Sequence, residues 1–233
     1  MPPRKIKRST CAALGVFARA PVPGSAKTRL IPLLGAVGAA RFQSAMLADT
    51  LRKVSRLRRA ASPYLFLAGR KSGLTGAVKI PPEVKLARQT GGLLGDRLES
   101  AFRRLFKQHQ RAVIIGTDSP LLPPSMIRLA LHELNQCDSV LGPCPDGGYY
   151  LIGLRAAPAP LRDVLRDVRW STRFAFWDTL RSFTSCGLSC SILEEWEDVD
   201  LPADVMRLRR SLGRNPGARP LARETWRFLQ DSL

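Results

Sequence analysis

The stretch that decides the fold is Ala112-Val113-Ile114-Ile115-Gly116-Thr117-Asp118-Ser119-Pro120. An unbroken apolar run, mostly β-branched and too short for a helix, predicts a strand buried on both faces. Asp118 stands just past its C-terminal tip, where a chain leaves the core of a sheet. Ligands of open α/β sheets bind outside the carboxyl ends of the strands, so an acid there is a candidate hard oxygen ligand for Mg²⁺ or Mn²⁺. It is equally a candidate cap for the following helix, or an Asx turn before Pro120.

Working outward, apolar runs of strand length alternate with helical spacing. Ala12 to Ala18, Pro63 to Ala68, Val84 to Ala87, Ser139 to Gly142 and Tyr149 to Leu154 read as further strands. Val37 to Leu57, Leu94 to Phe106 and Pro124 to Leu134 read as helices, the second with Leu98, Ala101, Phe102, Leu105 and Phe106 on one face. The alternation predicts an α/β fold, a mostly parallel central sheet flanked by helices on both faces. One domain is expected over residues 12–212, after a basic N-terminal tail, 1–11. A C-terminal extension, 213–233, follows with one helix, packing back through Leu221, Trp226 and Leu229.

The 233 residues carry 37 Lys plus Arg against 19 Asp plus Glu, a formal charge of +18. With 45% hydrophobic and 24% charged residues, the composition is that of a globular protein and excludes disorder and collagen-like structure. No run approaches about 18 consecutive apolar residues, so no transmembrane segment is expected. The start, with Arg4, Lys5, Lys7 and Arg8 before an apolar stretch, sketches a signal peptide. That stretch is short, is interrupted by Arg19 and is needed as the first strand, so a cytoplasmic location is expected. Five cysteines (Cys11, Cys137, Cys144, Cys186, Cys190) without a C-x-x-C pair favour reduced thiols. His109 and His132 are expected on helix surfaces.

Three more segments bear chemistry. Phe17 to Leu30 is a glycine- and proline-shaped loop that leaves the first strand and delivers Lys27 and Arg29, with backbone N–H groups near Gly24. Such a loop suits phosphate, or is a solvated basic turn; it is neither a Walker A loop nor a G-x-G-x-x-G fingerprint. Pro143-Cys144-Pro145-Asp146-Gly147-Gly148 puts an acid beside glycines that let backbone approach a ligand, and Asp-Gly is also a hairpin turn signal. Glu194 to Pro202 is the dense acidic cluster of a basic chain. Its acids complement the N-terminus of the next helix, or one of them completes a metal site with Asp118.

In order along the chain, these motifs resemble a bacterial glycosyltransferase-like family, a domain of unknown function in the nucleotide-diphospho-sugar transferase (GT-A) superfamily. The matching stretches are Phe17 to Leu30, Gln89 to Leu98, Gly116 to Pro120, Asp146 to Leu154, Trp170-Ser171-Thr172 and Asp198-Val199-Asp200. Leu121 departs from the pattern, where the family often has Asp. The resemblance implies a single Rossmann-like GT-A domain. It also implies a nucleotide bound near Arg19, Pro23, Gly24, Lys27, Arg29, Gln89, Gly92, Thr117 and Asp118. Lys27, Arg29 and Asp118 would act on the reacting diphosphate, and Asp118 with Asp200 would hold Mg²⁺ or Mn²⁺, with Asp146 in reserve. Asp146, Gly147, Gly148, Tyr149, Trp170, Ser171 and Thr172 would line the side of a small-molecule acceptor.

The expected activity is metal-dependent transfer from a nucleotide diphosphate sugar. The alternative is a nucleotidyltransferase, which takes a nucleoside triphosphate and a phosphorylated acceptor and releases pyrophosphate. A nucleic-acid-binding protein on the same fold is a further reading, but with 7% aromatics and arginines spread over helices, nucleic acid is not the expected main partner.

Overall fold

A computed structural model describes residues 12–69, 74, 78–156 and 160–233; the basic tail, 1–11, lies outside them. Among the described residues seven strands form one sheet: β1 (Ala12–Arg19), β2 (Ser62–Ala68), β3 (Lys85–Arg88), β4 (Arg111–Ile115), β5 (Ser139–Pro143), β6 (Tyr149–Arg155) and β7 (Cys190–Ile192). Their spatial order is β3-β2-β1-β4-β6-β5-β7. β1 pairs in parallel with both β2 and β4, and β5 with β7, while β6 runs antiparallel between β4 and β5. The helices are α1 (Ile31–Arg56), α2 (Leu94–Phe106), α3 (Pro124–Glu133), α4 (Leu161–Val164), α5 (Ala175–Ser185), α6 (Pro202–Arg214) and α7 (Arg223–Ser232). This is the Rossmann-like α/β architecture with a mostly parallel sheet.

Alternation along the strands sends residues to two cores. Leu14, Val16, Val113 and Ile115 pack with Leu47 and Leu51 of α1 and Ile127 of α3. Ala13, Phe66, Ile114 and Ile152 face Leu98, Phe102 and Leu105 of α2 and Phe176 and Phe183 of α5. Residues 98, 102 and 105 recur at helical spacing, which is why α2 was legible. Its N-terminus is closed by Asp96, whose Oδ2 accepts the Leu93 N–H at 3.0 Å.

α1 serves two layers at once. Its inner side meets the sheet, and Phe42 and Met46 join Val205, Leu208 and Leu212 of α6 and Phe228 and Leu229 of α7 in a third core. By length and mean hydropathy, residues 28–56 are the one described stretch that would pass for a membrane span, yet half of that window is buried inside the molecule. Gly35, at φ +68, interrupts α1 after its first turn, and the regular part begins close to the predicted Val37.

Polar groups of α1 are buried by design of their partners. Asp49, fully buried, accepts the backbone N–H groups of Glu224 and Thr225 at 3.0 and 2.9 Å and the Arg52 guanidinium at 2.9 Å. It thereby caps the N-terminus of α7 across a tertiary contact. The inward residues of the last helix are Ala222, Thr225, Phe228 and Leu229. Of the three expected to pack, Leu229 is buried, Trp226 lies at the margin of the core and Leu221 is outside it, because Leu221 belongs to the 3₁₀ segment Pro216–Ala222 that precedes α7.

His109 corrects another expectation. It is 3% exposed, with Nε2 at 3.0 Å from the Tyr64 hydroxyl; the chain turns inward after α2, so the ring packs under β2. His132 is exposed at the end of α3, as expected. Cys137, Cys144, Cys186 and Cys190 are free thiols.

Asp49→Ala removes the acceptor for two N–H groups of the first turn of α7. A loss of about 1–3 kcal/mol in urea denaturation is expected, with the C-terminal helix cut first in limited proteolysis. An unchanged midpoint and digestion pattern would contradict this account of how α7 is held.

Candidate active site

The parallel strands β1 and β4 end at one edge of the sheet, and β5 turns back into β6 at that same edge. Three segments therefore converge there: the loop after β1, the tip of β4 and the turn 144–148. A fourth crosses them. After β7 the chain runs extended from Leu193 to Leu201, bonded by Leu193 N–H to Leu141 O (2.8 Å), Trp196 N–H to Pro143 O (3.0 Å) and Val199 N–H to Asp118 O (2.9 Å). In extended backbone alternate residues share a face, so Val199 is buried while Asp198 and Asp200 both look into the cleft. Asp204, in the first turn of α6, accepts the N–H groups of Asp200 (3.0 Å) and Leu201 (2.8 Å) and fixes where that segment ends.

Lys27 sits at the centre. It is held in the left-handed region, φ +46, just before the short 3₁₀ turn Thr28–Leu30, and that conformation drives its side chain inward. The ammonium donates to Val199 O at 2.6 Å and Asp200 Oδ1 at 2.6 Å and lies 2.9 Å from Asp118 Oδ1. Burial alone would lower its pKa, but the Asp118 and Asp200 carboxylates outweigh it and leave Lys27 above the ordinary lysine value. Arg29 lies at the rim, its Nη1 3.8 Å from Asp200 Oδ2. Thr117 is buried and receives the Gln43 amide at 3.0 Å while its hydroxyl faces Asp118 Oδ1 at 3.3 Å. Asp118 caps no helix, since α3 begins only at Pro124.

The cleft has a volume of about 720 Å³. Of the residues singled out from sequence, it brings together Arg19, Lys27, Arg29, Asp118, Asp146, Gly148, Tyr149, Trp170, Ser171, Thr172 and Asp200. Pro23, Gly24, Gln89, Gly92, Thr117 and Gly147 are not part of its lining. The Gln89 amide donates to Ala18 O (3.1 Å) and Phe66 O (2.9 Å), tying the ends of β1, β2 and β3 together, and borders a separate groove of about 540 Å³. Gly147, at φ +84, is pressed against the next loop so closely that a Cβ would lie 2.0 Å from Arg173 O.

Trp170 forms the far wall. Its indole lies on Gly95 of α2, where a Cβ would meet Nε1 at 2.6 Å, and meets Tyr149 edge-on at 6.3 Å between centroids. The loop that carries it is anchored by a two-pronged ion pair of Arg169 with Asp178, at 2.8 and 2.9 Å. The Thr172 hydroxyl is taken up inside this loop, donating to Arg169 O at 2.7 Å.

The structure adds Cys144 and Asp198, which sequence reasoning left inside larger motifs, to the reserve ligand Asp146. Cys144, Asp146 and Asp198 present ligand atoms all within 4.8 Å of one another. Burial, then the nearby carboxylates of Asp146, Asp200 and Asp118, push the Asp198 carboxyl up to about 6 against a partial offset from Lys27. Two oxygens and a sulfur at this spacing fit a divalent cation. The signal for Asp198 was the alternation of Asp198-Val199-Asp200.

Comparison with known proteins follows the same outline. No curated protein gives a significant match. A protein of Desulfovibrio desulfuricans G20 assigned as a nucleotide-diphospho-sugar transferase is 28% identical, with a TM-score of 0.80 over 96% of this chain and 98% of its own. 4-Diphosphocytidyl-2C-methyl-D-erythritol synthase from Anaerococcus prevotii DSM 20548 shares the fold at 8% identity, TM-score 0.57, over 87% of this chain and 99% of its own. Rv0371c of Mycobacterium tuberculosis H37Rv, solved with manganese, does so at 18% identity, TM-score 0.53, over 85% and 98%. The model of the family described as "Uncharacterized protein conserved in bacteria (DUF2064)" matches residues 50–172. That is more than half of the chain, from within α1 through β4 and Asp118 to Trp170-Ser171-Thr172, and the protein belongs to this bacterial family.

Proposed function

We propose that the protein is a metal-dependent transferase that binds a nucleotide diphosphate sugar in this cleft and passes the sugar to a small acceptor. The observation that carries the reading is the convergence of Arg19, Lys27 and Arg29 with four carboxylates at the carboxyl edge of the sheet. Similarity to the Desulfovibrio protein supports the sugar donor. Arg19 and Arg29, at the rim, meet the anionic donor. Lys27 holds Asp118 and Asp200 in place and keeps positive charge beneath the diphosphate. Trp170, with Tyr149 behind it, offers an aromatic face to a sugar ring or apolar acceptor. In the transfer, an acceptor oxygen bonds to the anomeric carbon, the bond from that carbon to the diphosphate breaks, and the acceptor proton goes to solvent or a cleft carboxylate. A divalent cation, when bound, would offset charge on the leaving diphosphate.

The second reading, nucleotidyl transfer from a nucleoside triphosphate with loss of pyrophosphate, draws on the fold shared with the Anaerococcus cytidylyl enzyme. The product separates the two: nucleoside diphosphate for the first, pyrophosphate for the second. The basic charge serves either by steering anions, and several arginines are already spent in local pairs, such as Arg103 with Glu99 and Arg207 with Asp204. A cytoplasmic site of action belongs to this proposal.

In a thermal-shift panel with Mn²⁺ or Mg²⁺, nucleotide sugars at about 100 times Kd should add roughly 2.7 kcal/mol of stability, and Asp118→Asn should abolish the shift. Preference for triphosphates would favour the second reading, and no shift with any nucleotide would sink both. Asp198 makes a further prediction. Its folded pKa is raised from 3.8 to about 6, so the stability tied to its protonated form is lost as pH rises through 6. With divalent cations chelated, Asp198→Asn should melt above the parent at pH 7.5, and the gap should narrow as pH falls below about 6 and vanish only near the ordinary carboxylate value, 3.8. A gap independent of pH would show that the carboxylate is not under strain.

A further inference from the structure

The Asp118–Asp200 pair, the place marked for a cation by sequence, already holds one. The Lys27 ammonium has three acceptors there, at 2.6, 2.6 and 2.9 Å, and three protons to give. The neighbouring group is different. Among the described residues neither Asp146 nor Asp198 forms an ion pair, although their carboxylates and the Cys144 sulfur lie within 4.8 Å of each other. Asp146 Oδ1 accepts the Gly148 N–H at 2.8 Å, which orients the carboxylate and leaves its second oxygen for a ligand.

Cys144 is the independent pointer. Its residue is 6% exposed, its N–H and C=O are both spent in the turn, on Gly148 O and Gly147 N–H, and its thiol has no hydrogen-bond partner among the described residues. It nonetheless lines the cleft beside the two carboxylates. Pro143 and Pro145 flank it and restrict its backbone. Cys144 belongs to the core that also holds Tyr150 and Leu193, and at the margin of that core its thiol meets two carboxylates as a ligand atom.

We propose that a divalent transition metal binds to Cys144 Sγ with the carboxylates of Asp146 and Asp198, while Lys27 keeps its place between Asp118 and Asp200. The inference names the ligands of the cation in the proposed transferase, and rests on that reading for the role of the cation in the reaction. A thiolate among carboxylates selects Co²⁺ or Zn²⁺ over Mg²⁺, and binding displaces the thiol proton to solvent.

The test is Co²⁺ titration of the full chain without nucleotide. The expected spectrum shows a thiolate-to-cobalt charge-transfer band in the near ultraviolet, absent in Cys144→Ser. Asp198→Asn should weaken Co²⁺ about 10-fold or more, equivalent to about 1.4 kcal/mol, whereas Asp118→Asn and Asp200→Asn should both retain the thiolate–cobalt band. In the unaltered protein the band should grow with added Co²⁺ and be lost when excess Zn²⁺ takes its place, a reading that requires no variant to fold. Absence of the band in the unaltered protein overturns the proposal. So does a parental spectrum in Cys144→Ser, or loss of Co²⁺ in Asp118→Asn and Asp200→Asn but not in Asp198→Asn, which would place the metal where Lys27 now sits. A thiolate–cobalt band in a protein that no nucleotide stabilises would uphold the site and refute the transferase.

Discussion

Repulsion between like charges is the constraint around which the site is arranged. Asp118, Asp146, Asp198 and Asp200 all line one cleft, although acids are the minority charge of the chain. Carboxylates gathered in this way resist ionisation unless positive charge or hydrogen-bond donors compensate them. Lys27 compensates Asp118 and Asp200, and a backbone N–H orients Asp146. Asp198 receives least, and its raised pKa records the deficit. The sheet topology makes the crowding possible: parallel β4 and β5 deliver their ends to one edge, and antiparallel β6 starts its return there.

The precision of this edge depends on buried polar side chains of one helix. From α1, Gln43 holds Thr117 beside Asp118, and Lys53 donates to Pro120 O at 2.7 Å and to Leu122 O at 3.3 Å. Burial pulls the Lys53 pKa down to about 8, against the pull of Asp49, a cost the fold accepts for pinning the loop after β4. Asp49 performs the same service for α7. An apolar α1 would pack as well, but it would leave these carbonyls and N–H groups without partners.

The long apolar runs were legible in sequence because burial on both faces needs them: β1, β2, β4, β5 and β6 fall within a residue or two of their expected bounds. The direction of β6 was legible only from the Asp146-Gly147 hairpin signal, since a strand buried on both faces reads the same whichever way it runs. α5 and β7 left weaker traces. Helix α5 buries Phe176 and Phe183 but exposes Trp177, and β7 is three residues at the sheet margin. At the site, the motif order located the charged residues and the aromatic wall. It could not show that Gln89 is used up in backbone contacts, or that the Lys27 ammonium lies on the acids, because both depend on how distant segments meet.

The left-handed backbone of Lys27 also sets a tension between stability and use. A non-glycine residue at φ +46 carries a local cost that Gly, or Asn, would relieve. Neither can supply the ammonium that neutralises two carboxylates. Selection for thermal robustness alone would therefore be drawn toward disarming position 27, so the residue that neutralises the two carboxylates is also a place where the fold gives up stability.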